Sequence, residues 1–426
     1  MIRRLLVDIT PLRTSPDFRR LWLGSLLSAI GGQMTVFAVA LQTYLLTGSS
    51  LAVGAVGLAD ALPAIAFGLL AGSVVDAHDR RALVLIASTA QLVVSLGFAA
   101  QAFAGADEVW LLYALVAMQS VARAVNAPAR RTFMPRLLPA AQVPAGAALT
   151  MLVMHASMVV GPSLAGLVAA AGGLKLCYLI DAGSFLGALY GVYRLPPMRP
   201  DGAATRPGPR AVLDGLRFLR RSRVLTGALI SDLNATVLAM PIALFPAINA
   251  ERFGGSPRTL GLLTTAIAVG GIVGSGLSGP VGRLRHQGRG MLVAGAVWGA
   301  ALAGFGLVDS LAGSLALLAV AGVADVSSVV LRTTVIQLAT PDAYRGRIAA
   351  AEHVVGAACP ELGNFRAGAV ASLTSPAVSA VSGGLACVAG AGVIALLMPA
   401  LVRYRAVDPT SDPPVDQFHT LVSGRS

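Results

Sequence analysis

The sequence predicts an all-α integral membrane protein, with twelve transmembrane helices arranged as two six-helix halves. Three observations predict it. Apolar blocks of crossing length recur along the whole chain, basic residues concentrate in alternate gaps between the blocks, and the two halves carry a weak internal repeat. With 55% hydrophobic and 12% charged residues, the composition excludes an ordinary soluble domain. A bilayer core needs about 20 apolar residues per helical crossing. Blocks of that length run over 21–45, 51–75, 82–104, 109–128, 146–170, 176–193, 224–248, 259–281, 290–308, 311–331, 348–370 and 376–400.

Charge predicts the orientation, because basic loops stay in the cytoplasm. Bases gather in the N-terminal arm (Arg3, Arg4, Arg13, Arg19, Arg20) and in the gaps after segments two (Arg80, Arg81) and four (Arg130, Arg131, Arg136). They continue after segment six (Arg194 through Arg223), segment eight (Arg283, Arg285, Arg289) and segment ten (Arg332, Arg345, Arg347), and in the tail. The opposite gaps hold only Lys175, Arg252 and Arg258. Both termini are therefore expected on the cytoplasmic side of the cell's inner membrane. A net charge of +12 can also signal nucleic-acid binding. Here the bases are spread over loops on one side without aromatic interleaving, so contact with anionic lipid headgroups explains them and nucleic acid does not.

The elements follow in chain order. The arm before segment one has no cleavable apolar core, since Asp8 interrupts it and Pro11 to Asp17 is mostly polar. Residues 1–194 form the first expected bundle. Its gap after segment two reads Gly68-Leu-Leu-Ala-Gly72-Ser-Val-Val-Asp76-Ala-His78-Asp79-Arg80-Arg81. Gly68 and Gly72 make a small-residue face for close helix approach. Asp76 ends the crossing, placed to pair with a base or cap a neighbour, and Arg80 and Arg81 resist entry into lipid. Segment five contains Gly161-Pro162-Ser-Leu-Ala-Gly166. Its proline removes a backbone donor and kinks the helix, and its glycines permit close packing.

Residues 195–223 are expected to be a cytoplasmic linker. LPPMRPDGAATRPGPR cannot form a regular helix. Val212, Leu216 and Leu219 then recur at helical spacing among bases, as in an amphipathic surface helix or a solvated basic stretch. Residues 224–405 form the second bundle. PDAYRGRIAAA before segment eleven resembles PAAQVPAGAAL before segment five. Parallel six-helix repeats of this kind build one large class of transporters. Residues 406–426 are polar and Pro-rich, hence expected to be disordered.

Other chemistries are excluded by pattern. Gly274-Ser-Gly276-Leu-Ser-Gly279 has the dinucleotide spacing but lies in an apolar crossing with no preceding strand, so it reads as a packing face. There is no GxxxxGK[ST] loop, Ser-His-Asp set or metal-ligand spacing, and the histidines are scattered. Cys177, Cys359 and Cys387 fall in apolar spans and read as small buried hydrophobes. Neither enzymatic activity nor a cofactor or metal is expected.

The loop after segment two resembles the signature loop of the major facilitator superfamily: a Gly, an Asp four residues on, then paired bases. The resemblance implies a gating role for Gly72, Asp76, Arg80 and Arg81, which latch the halves as access alternates. Ala77 stands where a base is usual and Asp79 where a glycine is; the matching loop of the second half, SGPVGRLRHQGR, has no acid. The Gly161-Pro162 pair resembles a motif of the superfamily's drug:proton antiporters. From Leu12 to Arg405 the chain is similar to the enterobactin-exporter-like and macrolide-efflux-like branch, through SPDFRRLWLGSLLSAIGGQM, ALQTYLLTGSSLAVG, GPSLAGLVAAAGG, DGLRFLRRSRVL and ATPDAYRGRIAA. That resemblance implies the major facilitator fold, its two halves related by a pseudo-twofold axis.

Charges at bilayer depth cost several kcal/mol unless paired, hydrated or neutralised. Those inside the segments are Asp60, Arg123, Asp181, Asp232, Asp325, Glu352, Glu361 and Arg366. Asp60 and Glu361 lie nearest the midplane by residue count, making them the first candidates to couple proton entry to substrate exit, followed by Asp181, Asp232 and Asp325. The alternative is a structural ion pair, such as Glu361 with Arg123 or Arg366. Arg123 is placed to face a central cavity, and Gln33, Asn126, His155 and Asn234 are polar candidates for cavity contact or helix–helix bonding. The expected function is a monomeric secondary transporter that exports a small amphipathic molecule against protons by alternating access. The resemblance favours a siderophore, with a multidrug or macrolide pump as the alternative. A permease subunit or a membrane-embedded enzyme is the reading from a different class.

Overall fold

A computed structural model describes residues 8–106, 108–198, 222–340 and 345–404. Its long helices are α1 (Pro16–Thr47), α2 (Ser50–Ala77), α3 (Arg80–Ala104), α4 (Val109–Arg131), α5 (Val143–Gly172) and α6 (Leu174–Tyr193). The second half contributes α7 (Arg223–Ala239), α8 (Pro257–Gly276), α9 (Gln287–Leu307), α10 (Leu311–Ala339), α11 (Arg345–Leu373) and α12 (Pro376–Leu397). Among the described residues, eleven helices are long and apolar enough to cross a membrane. The twelfth, α11, carries Glu352, Glu361 and Arg366 along its length.

Short polar residues set where the helices begin. Ser15, Ser49, Asp79, Ser222, Ser256, Ser310 and Ser375 each accept a backbone N–H from the first turn that follows. Gly48 and Gly105 end α1 and α3 in the left-handed conformation, at φ 62° and 65°. Two expected boundaries are corrected. Segment seven is not one helix: α7 stops at Ala239, and after a 3₁₀ turn at Ile242–Leu244 a separate helix runs over Phe245–Arg252. Pro241 and Pro246 lack the N–H that a continuous helix needs there. Segment ten continues to Ala339, so Arg332 lies inside α10 and not in the gap beyond it.

In the first half α1 packs on α5 and α6, α3 on α4 and α6, and α2 on α4. In the second, α9 packs on α10 and α12, and α8 on α10. The halves meet along α2–α11 and α5–α8. The closest approaches need glycine. A Cβ on Gly166 would lie 2.6 Å from the Pro257 carbonyl oxygen, and one on Gly261 would lie 2.8 Å from that of Pro162. Ser163 and Thr265 share a hydroxyl hydrogen bond of 2.7 Å across the same contact. On the other seam, a Cβ on Gly54 would lie 2.7 Å from the Asn364 carbonyl oxygen. These contacts all sit toward the end that holds residues 48–49 and 253–256. Toward the opposite end, Gly68 of α2 and Gly276 of α8 face open space. The close contacts between the halves named here thus gather toward one end of the seam.

Candidate functional site

Two charge clusters stand near the seam, an outer one across it and an inner one within the second half. The outer one starts from Asp60 of α2 and Arg123 of α4, which form an ion pair. Ser120 donates to the Asp60 carbonyl oxygen at 2.6 Å and Tyr113 to that of Ala52 at 2.9 Å, pinning α4 to α2. From the other half, Glu361 of α11 lies against Gly57 of α2, where any Cβ would collide with its Oε2. Asn364 donates to the same oxygen at 3.2 Å. Glu361 is also within electrostatic reach of Asp60 and Arg123. The Arg123 side chain is 49% exposed, so this cluster is not sealed inside the protein.

The inner cluster belongs to the second half alone. Arg332 Nη1 lies 3.0 Å from Asp232 Oδ2 of α7 and 4.0 Å from Glu352 Oε1 of α11. Their side chains are 15%, 12% and 26% exposed. Asp325, two turns earlier on α10, is within electrostatic reach of Arg332 and Asp232. Carboxylates therefore outnumber guanidiniums in the two clusters together. Sequence reading missed Arg332 by taking it for a loop base. The signal was present: VVLRTTVIQLA runs on without a helix breaker until Pro341.

Several candidates are placed elsewhere. Arg123 pairs with Asp60 and not with Glu361, because α2 and α4 pack side by side. Arg366 turns to α12, where a Cβ on Gly383 would lie 2.6 Å from its Nη2, and so does not pair with Glu361. Asn126 is buried and donates to Ser88 Oγ at 3.0 Å and Gln91 Oε1 at 2.6 Å, which makes it a helix–helix bond and not a cavity contact. Asn234 likewise donates to the Cys387 carbonyl oxygen at 2.9 Å. Asp181 is fully buried between α1, α3 and α6, away from the seam. Gln33 packs against Gly161, and His155 is half-buried on α5. Helix α5 runs unbroken through Pro162, and Gly161 and Gly166 serve as contact points for α1 and α8.

In the loop after α2, the surroundings of Gly72 and Asp76 lie outside the described residues, as do the linker over 199–221 and the tail from 405. Asp79, which departs from the resembled motif, has a structural task. Its Oδ1 accepts N–H bonds from Arg81 at 2.8 Å, Ala82 at 3.3 Å and Met198 at 3.2 Å, while Arg80 N–H bonds back to the Met198 carbonyl oxygen at 3.1 Å. Arg81 donates to the Tyr193 carbonyl oxygen. The start of the linker is thereby tied to the loop, with Leu195 and Met198 buried. Burial opposes the Asp79 charge, yet those three N–H bonds and the charge of Arg81 outweigh it and hold its pKa below the usual carboxylate value.

Residues 7–422 match the family described as transmembrane secretion effector. The chain is 28% identical over 414 residues to the enterobactin exporter EntS of Citrobacter koseri, covering 96% of this chain and 98% of that protein. The enterobactin exporter EntS of Shigella boydii is equally similar, at 28% identity over 95% of this chain and 97% of its own length. Among solved structures, the nucleoside transporter NupG superposes with a TM-score of 0.70 at 13% identity, over 91% of this chain and 100% of that one. A bacterial homologue of the iron transporter ferroportin in its inward-facing state gives 0.67 at 17% identity, over 91% and 99%. The structural likenesses speak for the fold.

Proposed function

The chain belongs to the transmembrane secretion effectors of the major facilitator superfamily, and on that premise we propose that it is a proton-driven exporter working by alternating access. The coarser statement needs no proposal: it is a multi-pass membrane efflux transporter of a small molecule, and not an enzyme. One observation carries the finer reading. Glu361, a carboxylate of the second half, is pressed against Gly57 of the first half beside the Asp60–Arg123 pair. That is the seam which must part when access switches to the other side. A proton on Glu361 removes a negative charge next to Asp60, so protonation and seam opening are linked electrostatically.

In this reading residues 1–194 and 224–405 are the moving bundles and 195–223 is their cytoplasmic linker. Both termini face the cytoplasm, the protein resides in the inner membrane among anionic lipids, and it works as a monomer. Gly72, Asp76, Arg80 and Arg81 act as the latch between the halves. The substrate is a siderophore, supported by the names of the similar exporters. A second reading, efflux of a lipophilic antibiotic bearing an amine, is favoured by the excess of carboxylates in the two clusters, which suits a cation.

The test is accumulation of candidate siderophores and cationic drugs in cells with and without the protein, across external pH and with an uncoupler. Glu361→Gln is expected to abolish the pH dependence, and Asp60→Asn to weaken it. Unchanged proton dependence in both variants removes the coupling reading. Retention of neither compound class by cells lacking the protein removes both substrate readings.

A further inference from the structure

Apart from the seam, three helices of the first bundle meet at a carboxyl. Asp181 of α6 has no exposed surface. Thr35 of α1 and Ser95 of α3 both donate hydroxyl bonds of 2.7 Å to its Oδ2. Its Oδ1 accepts no hydrogen bond among the described residues and lies beside Gly31 of α1 and the hydroxyl of Ser184, which donates to the Asp181 carbonyl oxygen at 2.6 Å. Among the described residues, no cation pairs with it. The titratable groups of the helices packed on α6 are Asp17, Arg19, Arg20 and Tyr44 in α1, Arg80 and Arg81 in α3, and His155 in α5. On α6 itself they are Lys175, Cys177, Tyr178, Tyr190 and Tyr193. Its own bonds come only from hydroxyls.

Buried polar groups lead away from Asp181 in both directions. One turn along α6, Tyr178 donates to Gln42 Oε1 at 2.7 Å, and Gln42 and Gln101 exchange two amide bonds of 3.0 Å. Those two glutamines and Lys175 line a cleft of about 280 Å³ at one end of the bundle. In the other direction, Gln91 and Ser88 lie one and two turns from Ser95 on α3 and both bond Asn126. Arg130, one turn beyond Asn126, donates to Ser25 Oγ at 2.9 Å. Such groups are rarely embedded in an apolar bundle without a task. The matching junction of the second half, between α7, α9 and α12, holds no acid: Asn234 bonds Cys387, whose thiol donates to the Gly295 carbonyl oxygen at 3.4 Å.

We propose that Asp181 is a proton-binding site inside the first bundle, distinct from the seam, with Oδ1 accepting the proton while Thr35 and Ser95 hold Oδ2. The proton arrives from solvent at the Gln42–Gln101 cleft and converts a buried carboxylate into a neutral acid. The charge removed lies at the junction of α1, α3 and α6, so its occupancy biases how α1 packs within the first bundle. This deepens the proton-driven reading and rests on it for its role in transport.

The test needs no transported molecule. The full chain in lipid nanodiscs is titrated by infrared difference spectroscopy, following the carbonyl stretch of protonated carboxylic acids. Among the titrating bands expected in the wild type, one is lost in Asp181→Asn and kept in Glu361→Gln. Thr35→Val, which leaves the acid in place, is expected to shift both the band and its midpoint. A spectrum that Asp181→Asn leaves unchanged, or an Asp181 band that Thr35→Val does not move, overturns the assignment. Loss of the band only in Glu361→Gln also overturns it while leaving the Glu361 reading intact. The converse failure is equally visible: transport without pH dependence, together with an intact Asp181 band, sinks proton-driven export alone.

Discussion

The outer and inner charge clusters look alike in composition and differ in where they are anchored. Asp60, Arg123 and Glu361 straddle the seam between the halves, with Arg123 half exposed. Asp232, Arg332 and Glu352 sit within one half and are mostly buried. On the proposed alternating access, a cluster that spans the seam changes its contacts with the conformation. One anchored inside a single bundle keeps them, and holds α7, α10 and α11 together. The contrast separates charges that bridge the two halves from charges that tie helices within one half.

The largest effect is expected at the inner cluster. Arg332→Met leaves Asp232 and Glu352 buried without a counter-charge, and breaking such a pair costs about 3–5 kcal/mol. Thermal unfolding in lipid is expected to shift down sharply, and adding Asp232→Asn is expected to restore part of the loss. A smaller effect belongs to the seam. Gly57→Val drives a side chain into Glu361, and overpacking of this kind costs about 1–3 kcal/mol. Here the transport rate is expected to fall further than stability does, because the seam must re-form in every cycle. The smallest shift in stability is expected for Arg123→Met, at about 1 kcal/mol or less for a half-exposed pair, accompanied by an altered pH profile of transport. Equal destabilisation by Arg332→Met and Arg123→Met would erase the distinction between the clusters.

Much of the architecture was legible in advance. Apolar blocks of crossing length marked the long helices, eleven of which are long and apolar enough to cross a membrane among the described residues. Asp60, Glu361, Asp232 and Arg123 were legible as costly charges in apolar spans. Their partners were not. Arg332 was hidden because a hydropathy window ends where polar residues begin, although α10 continues for seven residues beyond it. For Asn126 and Asn234 the sequence left cavity contact and helix–helix bonding both open, and helix rotation decides for the second; Asp79 departs from the resembled motif, and its bond from Met198 gives it a structural task.

The sequence by itself determined the run of apolar segments of crossing length and, at seven helices, the serine or aspartate that starts them. Both follow from transfer free energy summed along a segment and from local capping, which need no knowledge of neighbours. Only the tertiary structure decided which charges meet, which carboxyl is sealed inside a bundle and where along the seam the close contacts gather. Those depend on the rotation and tilt of each helix, set by close contacts such as Gly166 on Pro257 and Gly57 on Glu361. Residues far apart in the chain impose these contacts, and no single segment encodes them.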